Sequence, residues 1–171
     1  MDFKQLAESR YSTRAYETRE VEQAKLDQVL EAARLAPTAA NRQAFRIIVV
    51  TDPELRAHMK DAYHREWFYT APVIIVACSI PGRSWVRADG KNYSDVDVAI
   101  VVDHLILQAT DLGLGTCWIA DFDAHAVKEI LDLPEGVEPV ALTPLGYPAD
   151  RGRSKKRKTM YDLVSWNGYG G

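Results

Sequence analysis

The chain has 171 residues, 47% of them hydrophobic and 26% charged, with 21 Lys and Arg against 24 Asp and Glu. This length and composition predict one globular domain over residues 1–171, and the net charge of −3 argues against a general nucleic-acid binder, which is usually basic. The N-terminus shows no apolar signal region, and no apolar run reaches the ~18 residues of a membrane helix, so we expect a cytoplasmic protein.

The first half of the chain alternates between helical and extended patterns. Apolar residues spaced three and four apart predict helices over residues 2–9 and 23–35. A β-branched run predicts a strand over 45–50. Asp52, followed by a proline, is typical of a helix start and predicts a helix over 53–62.

The middle of the chain predicts the centre of the fold. Residues 73–78 are apolar on both faces, which favours a strand covered on both sides. Residues 80–93 have no period, and a loop of this length is often a functional lid. Ser94 and Asp97 resemble a capping box that opens the longest and most apolar helix, over 95–112.

The remaining elements complete an α+β fold. A strand is predicted over 116–119, a helix from its cap Asp123 to about Leu131, and a last strand over 140–145. The tail, about 159–171, is apolar beyond the last strand and should pack on a partner subunit or on its own core. The order of elements predicts one mixed or antiparallel sheet of about four or five strands with helices on both faces. Cys78 and Cys117 lie among apolar residues and are interpreted as buried, without a redox role.

Cations gather at two distant places in this acidic chain. Arg10-Tyr11-Ser12-Thr13-Arg14 offers two guanidiniums and two hydroxyls, and residues 155–158 add four cations. A guanidinium binds phosphate through paired hydrogen bonds, so the two places together suggest a phosphate cradle. Each alone is equally well read as a solvated surface patch.

A polar loop over 36–43 has small residues at its centre, which let a flat ligand approach the backbone. Asn41 and Gln43 each carry a donor and an acceptor, as a heterocycle requires. Gly113-x-Gly115 follows a helix and precedes a strand, the reverse of the dinucleotide-binding order, so Gly113 is interpreted as a helix end. The four histidines have no zinc spacing, and no Gly-x-Ser-x-Gly motif occurs.

Together these segments resemble the nitroreductase family of flavin enzymes along the length of the chain. The matching motifs, in family order, are Arg-x-Ser-x-Arg at 10–14, Ala-Pro-Thr-Ala-Ala-Asn-Arg-Gln at 36–43, Gly-Leu-Gly-Thr-Cys-Trp-Ile at 113–119, Pro-Leu-Gly-Tyr-Pro at 144–148 and Arg157-Lys158 before Tyr-Asp-Leu-Val. The resemblance implies a homodimer with FMN at its interface. It also implies ping-pong transfer of hydride from NADH or NADPH through flavin N5 to a nitroaromatic, a quinone or a similar small acceptor.

The resemblance also implies roles for single residues. The implied FMN contacts are Arg10, Tyr11, Ser12, Arg14, Pro37, Thr38, Ala39, Asn41, Gln43, Pro144, Leu145, Gly146, Arg157 and Lys158. Arg10, Ser12 and either Arg157 or Lys158 would bind the phosphate, Tyr11 would contribute its backbone, and Arg14 would stabilise the reduced ring. Residues 37–43 would come from the other subunit, and 144–146 would flank the ring near N5. Trp85, Arg87 and Tyr93 would meet the acceptor or the nicotinamide.

Two alternatives stay open. A family member with another flavin chemistry, such as flavin fragmentation, reductive dehalogenation or peptide-azoline oxidation, would share the FMN contacts and differ over residues 80–93. A non-catalytic flavin-binding protein would share those contacts without admitting a nicotinamide. No metal is expected.

Overall fold

The computed structural model describes residues 1–152 and 155–170 of the chain. Its helices are α1 (Phe3–Ser9), α2 (Gln23–Leu35), α3 (Pro53–His58), α4 (Glu66–Tyr69), α5 (Ser94–Asp111), α6 (Ala124–Ile130) and α7 (Met160–Leu163). Its strands are β1 (Phe45–Val50), β2 (Val73–Ser79), β3 (Gly115–Thr116) and β4 (Glu138–Gly146). Short 3-10 turns occur at Ala39–Asn41, Met59–Asp61 and Pro81–Arg83.

The sheet has four strands in the order β1-β2-β4-β3, and every neighbouring pair is antiparallel. This confirms the predicted α+β class with a sheet covered by helices. The strand β2 is central, and all its residues are buried, as its apolar pattern predicted.

Alternation along β2 divides the core into two layers. Val73, Ile75 and Ala77 face one side and pack with the buried residues of α2 and α5. Ile74, Val76 and Cys78 face the other side and pack with residues of the α3–α4 region and α6. Because successive side chains of a strand point to opposite faces, one apolar run serves both layers.

Several predicted boundaries shift. The helix predicted over 53–62 is α-helical only to His58 and continues as the 3-10 turn Met59–Asp61. The strand predicted over 116–119 is Gly115–Thr116, and Ile119 forms a separate bridge with Leu142. Asp123 caps α6 as predicted, accepting hydrogen bonds from the N–H groups of His125 and Ala126 at 2.9 and 3.1 Å.

The start of α5 corrects the predicted capping box. Tyr93 is the N-cap residue, and its side chain makes no capping hydrogen bond. Asp97 accepts a hydrogen bond from the distant Ala39 instead. The other end of α5 is as predicted, because Gly113 takes a φ of 76° that favours glycine.

The tail carries exposed apolar side chains. Tyr161 is 94% exposed, Trp166 is 78% exposed, and Met160 and Leu163 are also exposed. Across the residues that the structure describes, no helix is both long and apolar enough to span a bilayer.

Candidate functional site

The first cationic segment lies beside the sheet, between β3 and the chain after β4. Ser12 forms a parallel bridge with Thr116, and the N–H of Thr13 donates to the carbonyl of Thr116 at 2.9 Å. On the other side, the N–H of Ala149 donates to the carbonyl of Ala15, also at 2.9 Å. A segment predicted only as a cradle is therefore held by backbone hydrogen bonds on both sides.

Gly115 makes this close approach possible. A Cβ at this position would lie 2.4 Å from Oγ1 and 2.9 Å from Cβ of Thr13, closer than real Cβ atoms come. Thr13 is fully buried, so it has no room to withdraw. The second glycine of the Gly-x-Gly pair is thus required by packing, a role that its sequence context did not reveal.

The two cationic segments meet around one cavity of about 430 Å³. Its lining residues are Arg10, Tyr11, Ser12, Arg14, Asp150, Arg151, Lys155 and Arg157. Five of these carry positive charge and one carries negative charge, so the cavity suits an anion. The structure thereby brings together five of the predicted contacts, whereas Lys158 does not line the cavity.

Lys155 closes this cavity from the side of α1. Its Nζ donates to the carbonyls of Arg10 at 2.6 Å, of Ala7 at 3.2 Å and of Glu8. These carbonyls lie at the C-terminal end of α1, where they have no partner within the helix. A cation there donates hydrogen bonds to them and interacts favourably with the negative end of the helix dipole. Burial, and then the nearby Arg10, lower the pKa of Lys155. The sequence run suggested this lysine, but only the fold distinguishes it from its neighbours.

Among the described residues that line the cavity, Asp150 is the single acidic one. Its Oδ2 accepts a hydrogen bond from the N–H of Arg14 at 2.9 Å, and its main-chain carbonyl accepts one from the Tyr11 hydroxyl at 2.9 Å. Burial raises the pKa of Tyr11. A carboxylate among cations would repel a bound anion, so its retention here points to holding the Arg14 backbone. Sequence reasoning missed this residue, because nothing local links it to Arg14.

Cys117 lies near this region without joining its chemistry. The residue is buried, and burial raises the pKa of its thiol. Cys78 is also buried, and burial raises its pKa to about 11. Burial therefore disfavours the reactive thiolate form of both residues, and the absence of a redox role stays a prediction.

The second predicted element, the loop over 36–43, contains a strained turn at residues 38–43. Ala40, Asn41 and Gln43 have φ values of 50°, 53° and 51°, which are unfavourable for residues with a side chain. Gln43 donates from its N–H to Oγ1 of Thr38 at 3.0 Å and from Nε2 to Oδ1 of Asn41 at 3.2 Å. Both carboxamides, predicted to face a heterocycle, are exposed and hydrogen-bond each other in the single chain.

The end of β4 is less accessible than the sequence suggested. Pro144, Leu145 and Gly146 are buried, and Leu145 belongs to the core layer of α2 and α5. A Cβ on Gly146 would lie 2.8 Å from the ring of Pro72. A role of 144–146 at a flavin stays a prediction.

The predicted lid, 80–93, is an ordered hairpin. Val86 and Asn92 form an antiparallel bridge, and the rings of Trp85 and Tyr93 meet edge to face at 5.2 Å. Arg87 donates to the Tyr93 hydroxyl at 2.9 Å and pairs with Asp89 at 2.6 Å. The three predicted substrate residues therefore form one cluster, although the charge of Arg87 is already neutralised.

The cationic cavity and the strained turn lie near opposite ends of α5. The turn contacts Asp97, whereas Thr110 shares a smaller cavity with Arg10 and Tyr11. Asp97 and Thr110 are 13 residues apart in α5, a distance of about 20 Å at 1.5 Å per residue. Within residues 1–152 and 155–170, no group of three or more His, Cys, Asp or Glu side chains could hold a metal ion.

Comparison with known proteins gives a consistent set of relatives. The model of the nitroreductase family matches residues 7–67 and 59–147. A crystal structure of a nitroreductase family protein from Clostridium difficile 630 is 38% identical with a TM-score of 0.91, over 98% of this chain and 99% of that one. The structure of an FMN-dependent nitroreductase from Clostridium difficile R20291 is 26% identical with a TM-score of 0.84, over 95% and 98% of the two chains. An NADH dehydrogenase of Thermus thermophilus is 29% identical, over 97% of this chain and 96% of its own length.

Proposed function

The chain belongs to the nitroreductase family of oxidoreductases, and we propose that it binds FMN and transfers hydride from NADH or NADPH to a nitroaromatic, a quinone or a similar small acceptor. The observation that carries this proposal is the cavity where Arg10, Arg14 and Arg157 converge. Its donors suit a phosphate ester, because one guanidinium can donate two parallel hydrogen bonds to phosphate oxygens.

The chain's own residues would bind and orient the cofactor. Arg10, Ser12 and Arg157 would hold the phosphate, and Arg14 would supply fixed positive charge at the ring, which raises its reduction potential. When bound, FMN supplies the two-electron chemistry that links nicotinamide oxidation to acceptor reduction. No acid or base from the protein is needed, since positioning and electrostatics suffice.

We further propose that the working unit is a homodimer with FMN at its interface. The separation of about 20 Å between the cavity and the 38–43 turn along α5 supports a turn contributed by the other subunit. The exposed tail supports the same arrangement, because Tyr161 and Trp166 expose large apolar surfaces that a partner subunit would cover.

The spectrum and size of the purified protein test both proposals. We expect a yellow protein, or one that turns yellow with FMN, eluting as a dimer and bleached by NADH or NADPH in the absence of oxygen. Turnover with a quinone or nitroaromatic should follow. A protein that takes up no FMN contradicts the proposed cofactor, and bound FMN that neither nucleotide reduces contradicts the proposed activity.

The two candidate basic residues offer a matched pair of variants. Arg157 lines the cavity and Lys158 does not, so Arg157→Ala should weaken FMN binding at least about tenfold and Lys158→Ala should change it little. Titration of the apoprotein with FMN measures both. Equal losses in the two variants would contradict the assignment of the phosphate to this cavity.

A further inference from the structure

Asp97, which the sequence suggested as a helix cap, is a buried carboxylate that contacts another part of the chain. The residue is 1% exposed and lies in the first turn of α5, where the helix dipole stabilises negative charge. Its Oδ1 accepts a hydrogen bond from the N–H of Ala39 at 2.8 Å. Its Oδ2 is buried and has no hydrogen-bond partner among the residues that the structure describes.

The turn that Asp97 contacts does not hold its shape by sequence preference. Ala40, Asn41 and Gln43 all adopt the left-handed region, which Asn tolerates but Ala and Gln rarely occupy. Such conformations persist where surrounding contacts impose them. Within residues 1–152 and 155–170, the other hydrogen bonds of residues 38–43 stay inside the turn, so the bond to Asp97 is the hydrogen bond that joins the turn to α5.

We propose that Asp97 is a positioning residue that holds the 38–43 turn so that Asn41 and Gln43 are presented to the cofactor bound by the partner subunit. The inference rests on the proposed function, since it needs FMN at the interface. The new element is that Asp97, on α5, positions the 38–43 turn that each protomer contributes to its partner's site. Asp97 lies about 20 Å along that helix from the protomer's own cationic cavity. Asp97 itself acts through the backbone of Ala39.

Three variants test this role against a general packing role. Asp97→Ala removes the acceptor, Asp97→Asn keeps an oxygen for the Ala39 N–H, and Ala39→Pro removes the donor while leaving Asp97 in place. The proline fits, because Ala39 is the first residue of its turn and Thr38 before it is extended, with ψ at 157°. Asp103→Ala, an exposed change on the same helix, is the control.

We expect Asp97→Ala and Ala39→Pro each to weaken FMN binding about tenfold, Asp97→Asn to stay within about threefold of the original chain, and Asp103→Ala to be unchanged. Amide hydrogen exchange in the FMN-free protein gives an independent measurement. Protection of the Asn41 and Arg42 amides should fall in Asp97→Ala and Ala39→Pro and persist in Asp97→Asn. Ala39→Pro leaves the buried Asp97 side chain intact, so if Asp97→Ala does not fold, the loss of amide protection in FMN-free Ala39→Pro tests the role of Asp97.

Mixed dimers test whether Asp97 serves the partner's site. Arg10→Ala damages the cavity of its own protomer, and Asp97→Ala should damage the site of the other. A heterodimer of the two variants then keeps one intact site and one doubly damaged site, so mixing two weak binders should restore tight FMN binding at one site per dimer. If Asp97 served its own protomer's cavity, each site would carry one defect and mixing would restore none.

The outcomes separate this inference from the function on which it rests. Tight FMN binding by the original chain, with equal affinity and equal amide protection in Asp97→Ala and Ala39→Pro, would overturn the role of Asp97 alone. If the original chain binds no FMN, the proposed function fails, and the inference that depends on it is overturned with it. Mixed dimers without a restored site would overturn the claim that Asp97 serves the partner.

Discussion

The cationic cavity and the 38–43 turn are built in opposite ways. The segment that supplies Arg10 and Arg14 is joined to Thr116 on one side by a backbone hydrogen bond. On the other side a backbone hydrogen bond links it to Ala149, and the side-chain carboxylate of Asp150 accepts the N–H of Arg14. The turn has three residues in the left-handed region and is joined to α5 by a hydrogen bond to one side chain, Asp97. The cationic cavity is therefore organised by the single chain, whereas the proposed ring end would depend on a strained turn from a second subunit.

The largest expected effect comes from breaking the packing behind the cavity. Gly115→Ala places a Cβ against the buried Thr13, so it should destabilise the fold by about 2–3 kcal/mol, the usual cost of overpacking. Urea denaturation measures the loss. Gly82→Ala is the control, because a Cβ there meets nothing within 4 Å. Equal stability of the two variants would show that the 10–14 segment is not packed against β3 as described.

A smaller effect is expected from Asp150, which organises the same segment. Asp150→Ala leaves the N–H of Arg14 without its acceptor and should cost about 1–2 kcal/mol of stability. Both Asp150→Asn and Asp150→Ala remove the negative charge, but only Asp150→Asn keeps an acceptor for the N–H of Arg14, so it should bind FMN more tightly than Asp150→Ala does. Denaturation and FMN titration check both. Tighter binding by the alanine variant would mean that Asp150 only repels the anion.

Relieving the strain of the 38–43 turn should stabilise the fold, whereas the two preceding changes should destabilise it. Ala40→Gly relieves a left-handed alanine and should stabilise the fold by about 0.5–1 kcal/mol, after the added entropy of the unfolded glycine. Ala24→Gly, in the exposed face of α2, should instead destabilise by about 1 kcal/mol. Thermal unfolding compares the two. Destabilisation by Ala40→Gly would contradict the claim that the turn is strained at Ala40.

The smallest expected effect concerns the pH dependence of folding stability. It arises from Glu22, in the chain that follows the cavity segment. The hydroxyl of Tyr147 and the guanidinium of Arg19 donate to Glu22 and lower its pKa from 4.5 to about 2. The folded pKa is the lower one, so this stabilisation is present above about pH 4.5 and is lost as pH falls towards 2. Glu22→Gln should show a weaker drop in urea midpoint between pH 5 and pH 3 than the original chain, with Glu20→Gln as control. Identical curves for Glu22→Gln and the unsubstituted protein would contradict the proposed stabilisation by Glu22 and its two donors.

Sequence patterns predicted the elements of the fold better than the contacts of the site. The strand β2 and the helix α2 follow from apolar spacing, and Asp123 follows from capping chemistry, because these signals are local. Asp97 was misread, since its acceptor serves an N–H 58 residues away. Asp150 was missed for the same reason, since its partner Arg14 lies 136 residues earlier in the chain, where no periodicity reaches. Lys155 was part of a predicted basic run, but the sequence could not single it out, since its partner Arg10 lies 145 residues earlier.

The tail has a practical consequence for anyone who handles the protein. Trp166 is 78% exposed and Tyr161 is 94% exposed in the single chain, so the environment of their rings would change on burial. If the tail packs on a second subunit as proposed, the emission of Trp166 should shift to shorter wavelength as the protein is concentrated. The tail would then be a built-in optical reporter of association, read against the emission of the other three tryptophans.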